Sequence, residues 1–531
     1  MQKTIPFQQI PQLSKTDVAY ATGDASLRPF YNYDVDIQSF ANVIEDKKKD
    51  KTDRALLVEV LKKQYKTFDE KGISTATIEQ LSSENTFTVT TAHQPSLFLG
   101  PLYFIYKIAS TIHLARELKK HYPNNNFVPV FVIGGEDHDF DEINNINIFA
   151  KKITWQNQES GAVGMMQTSS LSDVLAELKS ILGESEAAQH IFSIVEKNYT
   201  SNEHYHSATQ ALIHDLMGKY GLLVLNTNDV QLKTAFAPIV LTELLEQPSQ
   251  KLVSDTQNDL AALGFKAQAF PREINLFYLR KNLRERIVFE ENQFKVLNTD
   301  YVFSKEEIIQ EVENHPEYFS PNVVLRPLYQ ELILPNLAYI GGGGELAYWL
   351  ERKSQFAEFG LNFPMLIRRN SVVWIDEASQ NKMEKLGLSD EDLFQDTDLI
   401  VKNYVTKNAS RELNISQEKA DLKHLFARIE TLAKQVDATL VNAVAAESTK
   451  QLAVLDQLEN RIVRAEKQKH EVSINQIKAL QQKFCPNNGL QERFDNFLPF
   501  YIKYGEDFFI TLIENLNPLQ SGFIVAKKAM Q

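Results

Sequence analysis

Three short stretches of the chain gather the residues able to do chemistry. The first is Thr91-Ala-His-Gln-Pro-Ser-Leu-Phe-Leu-Gly-Pro-Leu-Tyr-Phe-Ile-Tyr-Lys107. Here a polar loop carrying His93 and Gln94 separates a β-branched run from an apolar-periodic one. A histidine at such a junction can donate to a phosphate oxygen, and the following helix N-terminus adds partial positive charge. The same histidine can instead cap a turn. Lys107 falls within the helix, either as a solvated lysine or in contact with an anionic ligand.

The second stretch is Gly134-Gly-Glu-Asp-His-Asp-Phe-Asp-Glu142, where six of nine residues are ionisable or imidazole. Clustered carboxylates raise one another's pKa and that of a histidine among them, which needs a compensating cation, amine or set of hydrogen bonds. His138 with Asp137 and Asp139 can bind a metal or seat an ammonium substrate, or the loop can simply project into water. The third stretch is Leu325-Arg-Pro-Leu-Tyr-Gln330 followed by Ile340-Gly-Gly-Gly-Gly-Glu-Leu-Ala-Tyr-Trp349. Gly341, Gly342, Gly343 and Gly344 allow close backbone approach and offer amide N–H groups to an anion. No Gly-Lys-Ser/Thr follows, so this is not a Walker loop, and it lacks the spacing of the dinucleotide fingerprint. Glu345 caps the next helix or binds a ribose. Arg326 forks onto a carboxylate or phosphate, or makes a structural ion pair. Cys485, the single cysteine, lies before Pro486 and far in sequence from these loops, so it reads as structural rather than nucleophilic.

These stretches need elements to position them. Phe87–Ala92 reads as a strand, Leu102–His121 as an amphipathic helix and Phe127–Ile133 as a second strand with a nearly continuous apolar run. Strand, helix and strand in this order make a βαβ unit, which builds a parallel sheet. Gly221–Asn226, Val323–Pro327, Leu337–Ile340 and Phe363–Ile375 read as further strands, Ile274–Val302 as short strands with tight turns, and Glu345–Phe359 as a helix. Residues 388–485, 98 in all, contain neither glycine nor proline. Within them Leu452, Leu455, Leu458, Ile462, Ala465 and Val472 recur at three, four or seven residues, which predicts a coiled-coil pair or dimerisation arm over Ile415–Lys483.

Composition sets the outer limits. A chain of 531 residues is long enough for several domains, and its net charge of −13 argues against a general nucleic-acid or anionic-membrane binder. A lone cysteine fits a reducing cytoplasm. No signal peptide is evident, and no apolar run approaches the roughly 18 residues of a membrane span.

Taken in order, these motifs resemble one family. Thr91-Ala-His-Gln with Gly-Pro-Leu-Tyr and Tyr-Lys, Glu-Asp-His-Asp, Arg-Pro-Leu…Gln and Gly-Gly-Gly-Gly-Glu-Leu-Ala-Tyr-Trp are similar to those of the bacillithiol biosynthesis cysteine-adding enzymes (BshC). Arg28-Pro-Phe-Tyr31, Pro364…Arg369, Arg464-Ala-Glu-Lys467 and Leu490-Gln-Glu-Arg493 extend the likeness from about residue 25 onward. Two departures stand out: Ala92 replaces a usual glycine, and Phe303-Ser-Lys-Glu306 is a poor substitute for a Lys-Met-Ser-Lys-Ser-type ATP loop.

The resemblance implies an α/β fold: a Rossmann-like parallel-sheet core with inserted connecting segments and a long α-helical coiled-coil arm supporting a homodimer. The expected segments are a helical lead-in at 1–85, the first half of the core at 86–150 and an inserted connecting segment at 151–220. The second half with the glycine loop spans 221–385, the arm 386–484, and a C-terminal segment packing back on the core 485–531. The implied activity joins cysteine to the amine of glucosaminyl-malate, with ATP, and Mg2+ in support, expected by analogy. Among the expected roles, Asp137, His138 or Asp139 supplies the base, His93 and the glycine amides stabilise phosphate charge, and Arg326 or Arg369 holds malate carboxylates. Gln94, Lys107, Gln330, Glu345 and Tyr348 complete the expected binding set, and no dedicated metal site is assigned. The alternatives are another nucleotide-dependent ligase or nucleotidyltransferase on the same fold, or a non-catalytic dimeric coiled-coil binding protein.

Overall fold

Ser14 caps the first helix, α1 (Lys15–Ala21), by accepting the Asp17 amide hydrogen bond, and this turn delivers the Asp17 carboxylate to Arg368 at 2.6 Å. In the computed structural model the described residues are 3–69, 71–409 and 415–527, so residues 1–2, 70, 410–414 and 528–531 of the expected segments lie outside them. The chain divides into two units. One takes the chain up to residue 8, residues 13–373 and the chain from 491; the other takes residues 9–12 and 374–490. The segment from 491 thus belongs to the same unit as the central sheet.

That sheet has five parallel strands: β1 (Thr86–His93), β2 (Asn126–Ile133), β3 (Leu223–Asn226), β4 (Asn336–Gly341) and β5 (Met365–Arg368), in the order β5-β4-β1-β2-β3. Their side chains are buried on both faces, which is why the strands read as unbroken apolar or β-branched runs. Pro129 sits within β2 without losing a ladder bond to β3, because pairing with β3 begins only at Val130. From β1 the chain winds outward through β2 to β3, then returns to add β4 on β1's other side. The crevice above the carboxyl ends of β1 and β4 is therefore a topological switch point, where sheets of this kind bind ligands.

Helix α2 (Tyr103–His121) crosses from β1 to β2, and the short α3 (Phe140–Ile143) follows β2, with Asp139 at its N-cap. Helix α4 (Val230–Glu246) follows β3 and begins at Asp229, whose side chain accepts the Gln231 amide hydrogen bond. Beyond it, strands Leu276–Arg280, Leu283–Glu290, Gln293–Val296 and Val302–Phe303 form an antiparallel meander, flanked by Phe319–Pro321. Glu291 and Asn292 both adopt positive φ at one of its tight turns, the conformation two-residue hairpin turns demand. In a separate three-stranded sheet, Lys3–Ile5 pairs antiparallel with Phe523–Lys527 through register partners such as Lys3 and Val525.

Three expectations need correction. Val323–Pro327 is not a strand: Asn322 takes the Val324 and Leu325 amides on its side chain, and the chain turns into helix α5 (Arg326–Ile333) with Pro327 in the first turn. Glu345–Phe359 is two helices, α6 (Gly343–Trp349) and a separate turn at Lys353–Glu358. Phe363–Ile375 is likewise two strands, β5 and Ser371–Ile375, broken at Arg369-Asn370.

In the second unit, Ile415–Lys483 is three helices: α7 (Ser416–Val436), α8 (Leu440–Lys469) and α9 (Glu471–Phe484). Asp437 and Thr439 end α7 with a side-chain turn that folds α8 back along it. Lys419 of α7 then meets Asp456 and Glu459 of α8 at 2.6 and 2.7 Å, so the coiled-coil pair forms within one chain. Cys485 is buried here, and burial pushes its thiol up to about 12.

The four glycines are not equivalent. A Cβ on Gly343 would fall 1.9 Å from the Asp17 carboxyl carbon, whereas one on Gly344 meets nothing within 4 Å. Gly343→Ala should therefore lower stability by about 1–3 kcal/mol, while Gly344→Ala should be neutral or stabilising by up to ~1 kcal/mol. Urea unfolding of the two variants distinguishes these outcomes, and equal effects would remove Asp17 as the reason for the glycine.

Candidate active site

The carboxyl ends of β1, β2 and β4 open onto a cavity of about 300 Å³. Its walls include Ala92, His93, Gln94, Gly134, Glu136, Asp137, Glu142, Thr227, Arg284, Arg326, Tyr329, Gln330, Tyr339, Glu345 and Tyr348. All three stretches singled out by residue type thus meet at the switch point, although they span more than 250 positions of the chain.

β1 delivers His93 against the aromatic start of α2. Its Nε2 lies 3.2 Å from the Tyr103 hydroxyl and its Nδ1 lies 3.1 Å from the Gln94 amide nitrogen. Burial, reinforced by the nearby Lys107 ammonium, pushes the imidazole down to about 4. His93 is therefore neutral at pH 7, and it would meet an anion as a hydrogen-bond donor rather than as a cation. Lys107, one α-helical turn further along α2, is fully buried behind the wall. Its Nζ donates to the Ala92 carbonyl at 2.6 Å and to Glu345 at 2.7 Å. Burial pushes this ammonium down to about 8.

Glu345 is the partner that makes the lysine tolerable. It accepts from Lys107, from the Tyr339 hydroxyl at 2.9 Å and from the Gly342 amide at 2.8 Å. Burial opposes its charge, yet Lys107 and these donors hold its carboxyl down to about 2. The Gly342 amide is therefore already taken by an ionised carboxylate, and Gly343 backs onto Asp17. As it stands, the Gly341–Gly344 run does not fit a nucleotide phosphate.

The acidic loop is compensated by cations from distant elements. Lys233 of α4, buried, donates to Glu136 Oε2 at 2.8 Å and to the Phe319 carbonyl, and its ammonium lies 2.7 Å from Glu136 Oε1, which accepts no hydrogen bond. Asp137 accepts from Gln94 Nε2 at 2.5 Å, from the His138 amide at 2.7 Å and from Arg284 at 3.4 Å. Burial alone would raise the Asp137 carboxyl, but Arg284 and these hydrogen bonds hold it below its ordinary value. Arg284 stacks on Phe277 and brings a guanidinium nitrogen within 2.6 Å of His138 Nδ1. A guanidinium only donates, so that ring nitrogen is the acceptor. Asp139 accepts the Glu142 amide as the cap of α3. Among the described residues, no group of three or more His, Cys, Asp or Glu side chains is placed to hold a metal ion.

On the β4 side, Arg326 donates to Gln330 Oε1 at 3.1 Å and to the Tyr348 hydroxyl at 3.2 Å. Gln330 is oriented in turn by donating to Glu331 at 2.9 Å. Burial pushes the Glu331 carboxyl up to about 7. Arg369 lies off the cavity wall, paired with Glu492 at 2.7 Å in the same unit.

Of the expected residues, His93, Gln94, Asp137, Arg326, Gln330, Glu345 and Tyr348 share the cavity wall. His138 and Asp139 adjoin it, and Lys107 supports it from behind. The sequence reading missed Tyr103, Tyr339, Lys233 and Arg284. Tyr103 stood within the first quoted motif, and Tyr339 within the expected strand Leu337–Ile340. Lys233 and Arg284 occupy ordinary polar helix and strand positions, and only the tertiary fold brings them to the acidic loop.

Comparison with known proteins agrees along the whole chain. Residues 1–370 match the family described as "Bacillithiol biosynthesis BshC, N-terminal Rossmann-like domain", and residues 372–528 match "Bacillithiol biosynthesis BshC, C-terminal coiled-coil domain". A protein of Flavobacterium psychrophilum named "Putative cysteine ligase BshC" is 42% identical over 99% of both chains. Relatives bearing the same name are 42% identical in Christiangramia forsetii, over 95% of both chains, and 28% identical in Bacillus thuringiensis, over 93% of this chain and 94% of that one.

Two outcomes follow from the site's electrostatics. Lys107→Met should cost about 3–5 kcal/mol by leaving Glu345 with no cation, and adding Glu345→Gln should recover much of the loss in a double-mutant cycle. His93 titrates at about 4 folded and near 6.5 unfolded, so below pH 6.5 the unfolded chain binds the extra proton. Stability should therefore fall as pH drops from 6.5 towards 4, and His93→Gln should flatten this slope by up to ~1.4 kcal/mol per pH unit in urea titrations.

Proposed function

The chain belongs to the bacillithiol biosynthesis BshC family, and from that membership and the charge layout of its cavity we propose that it is a cysteine ligase, forming the amide bond between the carboxyl of cysteine and the amine of glucosaminyl-malate. The observation that carries this reading is Arg326. Among the described residues its guanidinium faces the switch-point cavity without a carboxylate partner, held in place by neutral Gln330 and Tyr348. A buried guanidinium so oriented is suited to a ligand carboxylate, and charge-assisted forks of this kind are among the stronger polar contacts.

Neutral His93 and the Tyr103 hydroxyl form a hydrogen-bonding pair beside it, suited to polarising an acyl oxygen as negative charge develops there. Asp137 has a depressed pKa and three donors, so it acts as a fixed anion that orients Gln94. An activating nucleotide, with Mg2+, is the expected source of the reaction's energy. The glycine run does not fit its phosphates as it stands, so the roles assigned here concern the amine and the acyl group.

The helical arm supports a homodimer in this reading. Leu425, Ile429, Leu432 and Val436 follow one another on α7 at spacings of four, three and four residues, and all are exposed. Such a stripe matches the seam of a helix bundle and leaves room for a second copy.

The proposal is tested by deleting the gene and measuring cellular thiols and their precursors by mass spectrometry. Loss of bacillithiol with accumulation of glucosaminyl-malate, reversed by the intact gene, is expected. Unchanged bacillithiol in a strain without a second copy would overturn it. Arg326→Met should fail to complement and should lower kcat/KM at least tenfold in a purified assay. Ile429→Glu with Leu432→Glu should shift the sedimentation mass from two chains to one while leaving the thermal transition of the sheet-bearing unit in place.

A further inference from the structure

The cavity walls carry a charge balance that closes almost completely. Glu136 is matched by Lys233, Asp137 by Arg284 and Glu345 by Lys107, each pair within 3.4 Å. Two formal charges remain. One is Arg326, already described. The other is Glu142, on α3, whose carboxyl has no hydrogen-bond or ion-pair partner among the described residues. Its backbone amide is held by Asp139, which fixes the position of the residue while leaving its carboxyl free. A wall with one spare cation and one spare anion is complementary to a ligand with one pole of each sign.

We infer that Glu142 receives the substrate's amine, binding it as an ammonium and taking its proton as the amide bond forms. This rests on the function proposed above and assigns a residue to its acceptor. The other carboxylates at the site are poor candidates for either task. Glu136, Asp137 and Glu345 are each neutralised by a cation, the last two are also held by several donors, and Asp139 is occupied as a helix cap. His138 Nδ1 already accepts from Arg284. Glu142 stands at the exposed rim of the cavity, where partial burial, then the like charges of Asp139, Asp137 and Glu345, raise its carboxyl above its ordinary value and make it a stronger base than a free glutamate. The same negative surroundings attract a cationic amine to this end of the cavity.

The step balances without a further reagent once the acyl donor is a cysteine carboxyl activated through an oxygen leaving group. One ammonium proton passes to Glu142. The freed nitrogen lone pair forms the C–N bond, the bond from the acyl carbon to its leaving oxygen breaks, and the second nitrogen proton departs with that oxygen.

The experiment is isothermal titration of the full chain with glucosaminyl-malate, with its N-acetyl form, which has no ammonium, and with cysteine. Intact protein should bind glucosaminyl-malate at least tenfold more tightly than the N-acetyl form, and Glu142→Gln should abolish this preference. Glu142→Asp should retain part of it, and unchanged melting of both variants excludes misfolding as the cause. If glucosaminyl-malate binds but Glu142→Gln keeps the preference, the inference falls while the proposed reaction stands. If glucosaminyl-malate does not bind but cysteine does, and loses affinity in Glu142→Gln, the acceptor named above is wrong and Glu142 still holds an ammonium. If no amine's affinity depends on Glu142, the inference is overturned.

Discussion

A buried lysine must find a carboxylate, and much of this site follows from where Lys107 finds one. Its ammonium lies in the interior between the end of β1 and the start of α6, and it reaches Glu345 and the Ala92 carbonyl together. Breaking the ion pair would strand charge at low dielectric, a cost large against the stability of any domain. The pair thereby fixes the relative position of two strand ends on either side of the switch point. His93 is kept neutral by the same burial and by the same ammonium. Tyr339 and the Gly342 amide are drawn to Glu345, and Arg326 packs near the Tyr339 ring at 5.9 Å. One ion pair thus sets the protonation, orientation or spacing of most groups on the β1–β4 side of the cavity.

The acidic loop shows the same principle from the opposite direction. Six ionisable or imidazole residues in nine positions would repel one another if left alone. The fold answers with Lys233 from a helix and Arg284 from the antiparallel meander, each desolvated and each aimed at one carboxylate. The two carboxylates of the loop that face inward are thereby neutralised, and on the cavity wall Glu142 is the one left without a cation.

How much of this could be read from sequence depended on the range of the interaction. β1, α2, β2, β3 and β4 were legible because their apolar periodicities are local and strong. The three site stretches were legible because glycine, histidine and acidic residues were concentrated in them. Val323–Pro327 misled because a short apolar run does not distinguish a strand from the entry to a helix; the side chain of Asn322 decided it. The long helical region hid its own breaks, since Asp437 and His470 are neither glycine nor proline. Lys233 and Arg284 were illegible for a different reason. Nothing in their neighbourhoods marks them, and their partners lie 97 and 147 positions away. The free state of Glu142 was equally hidden, because it is defined by what its neighbours have already found.

The pairing of Lys3–Ile5 with Phe523–Lys527 bears on how the molecule is made. Lys3 lies opposite Val525, so this ribbon joins positions more than 500 residues apart. During synthesis the strand at Lys3–Ile5 must wait, unpaired, until more than 500 further residues have left the ribosome. β1 likewise waits for β4, and Asp17 waits for Arg368. Such contacts are slow to form because loop closure must precede their reward. The sheet-bearing unit is therefore a late-closing structure, and the emerging chain exposes apolar strand faces for most of its translation, the period in which chaperone protection matters most.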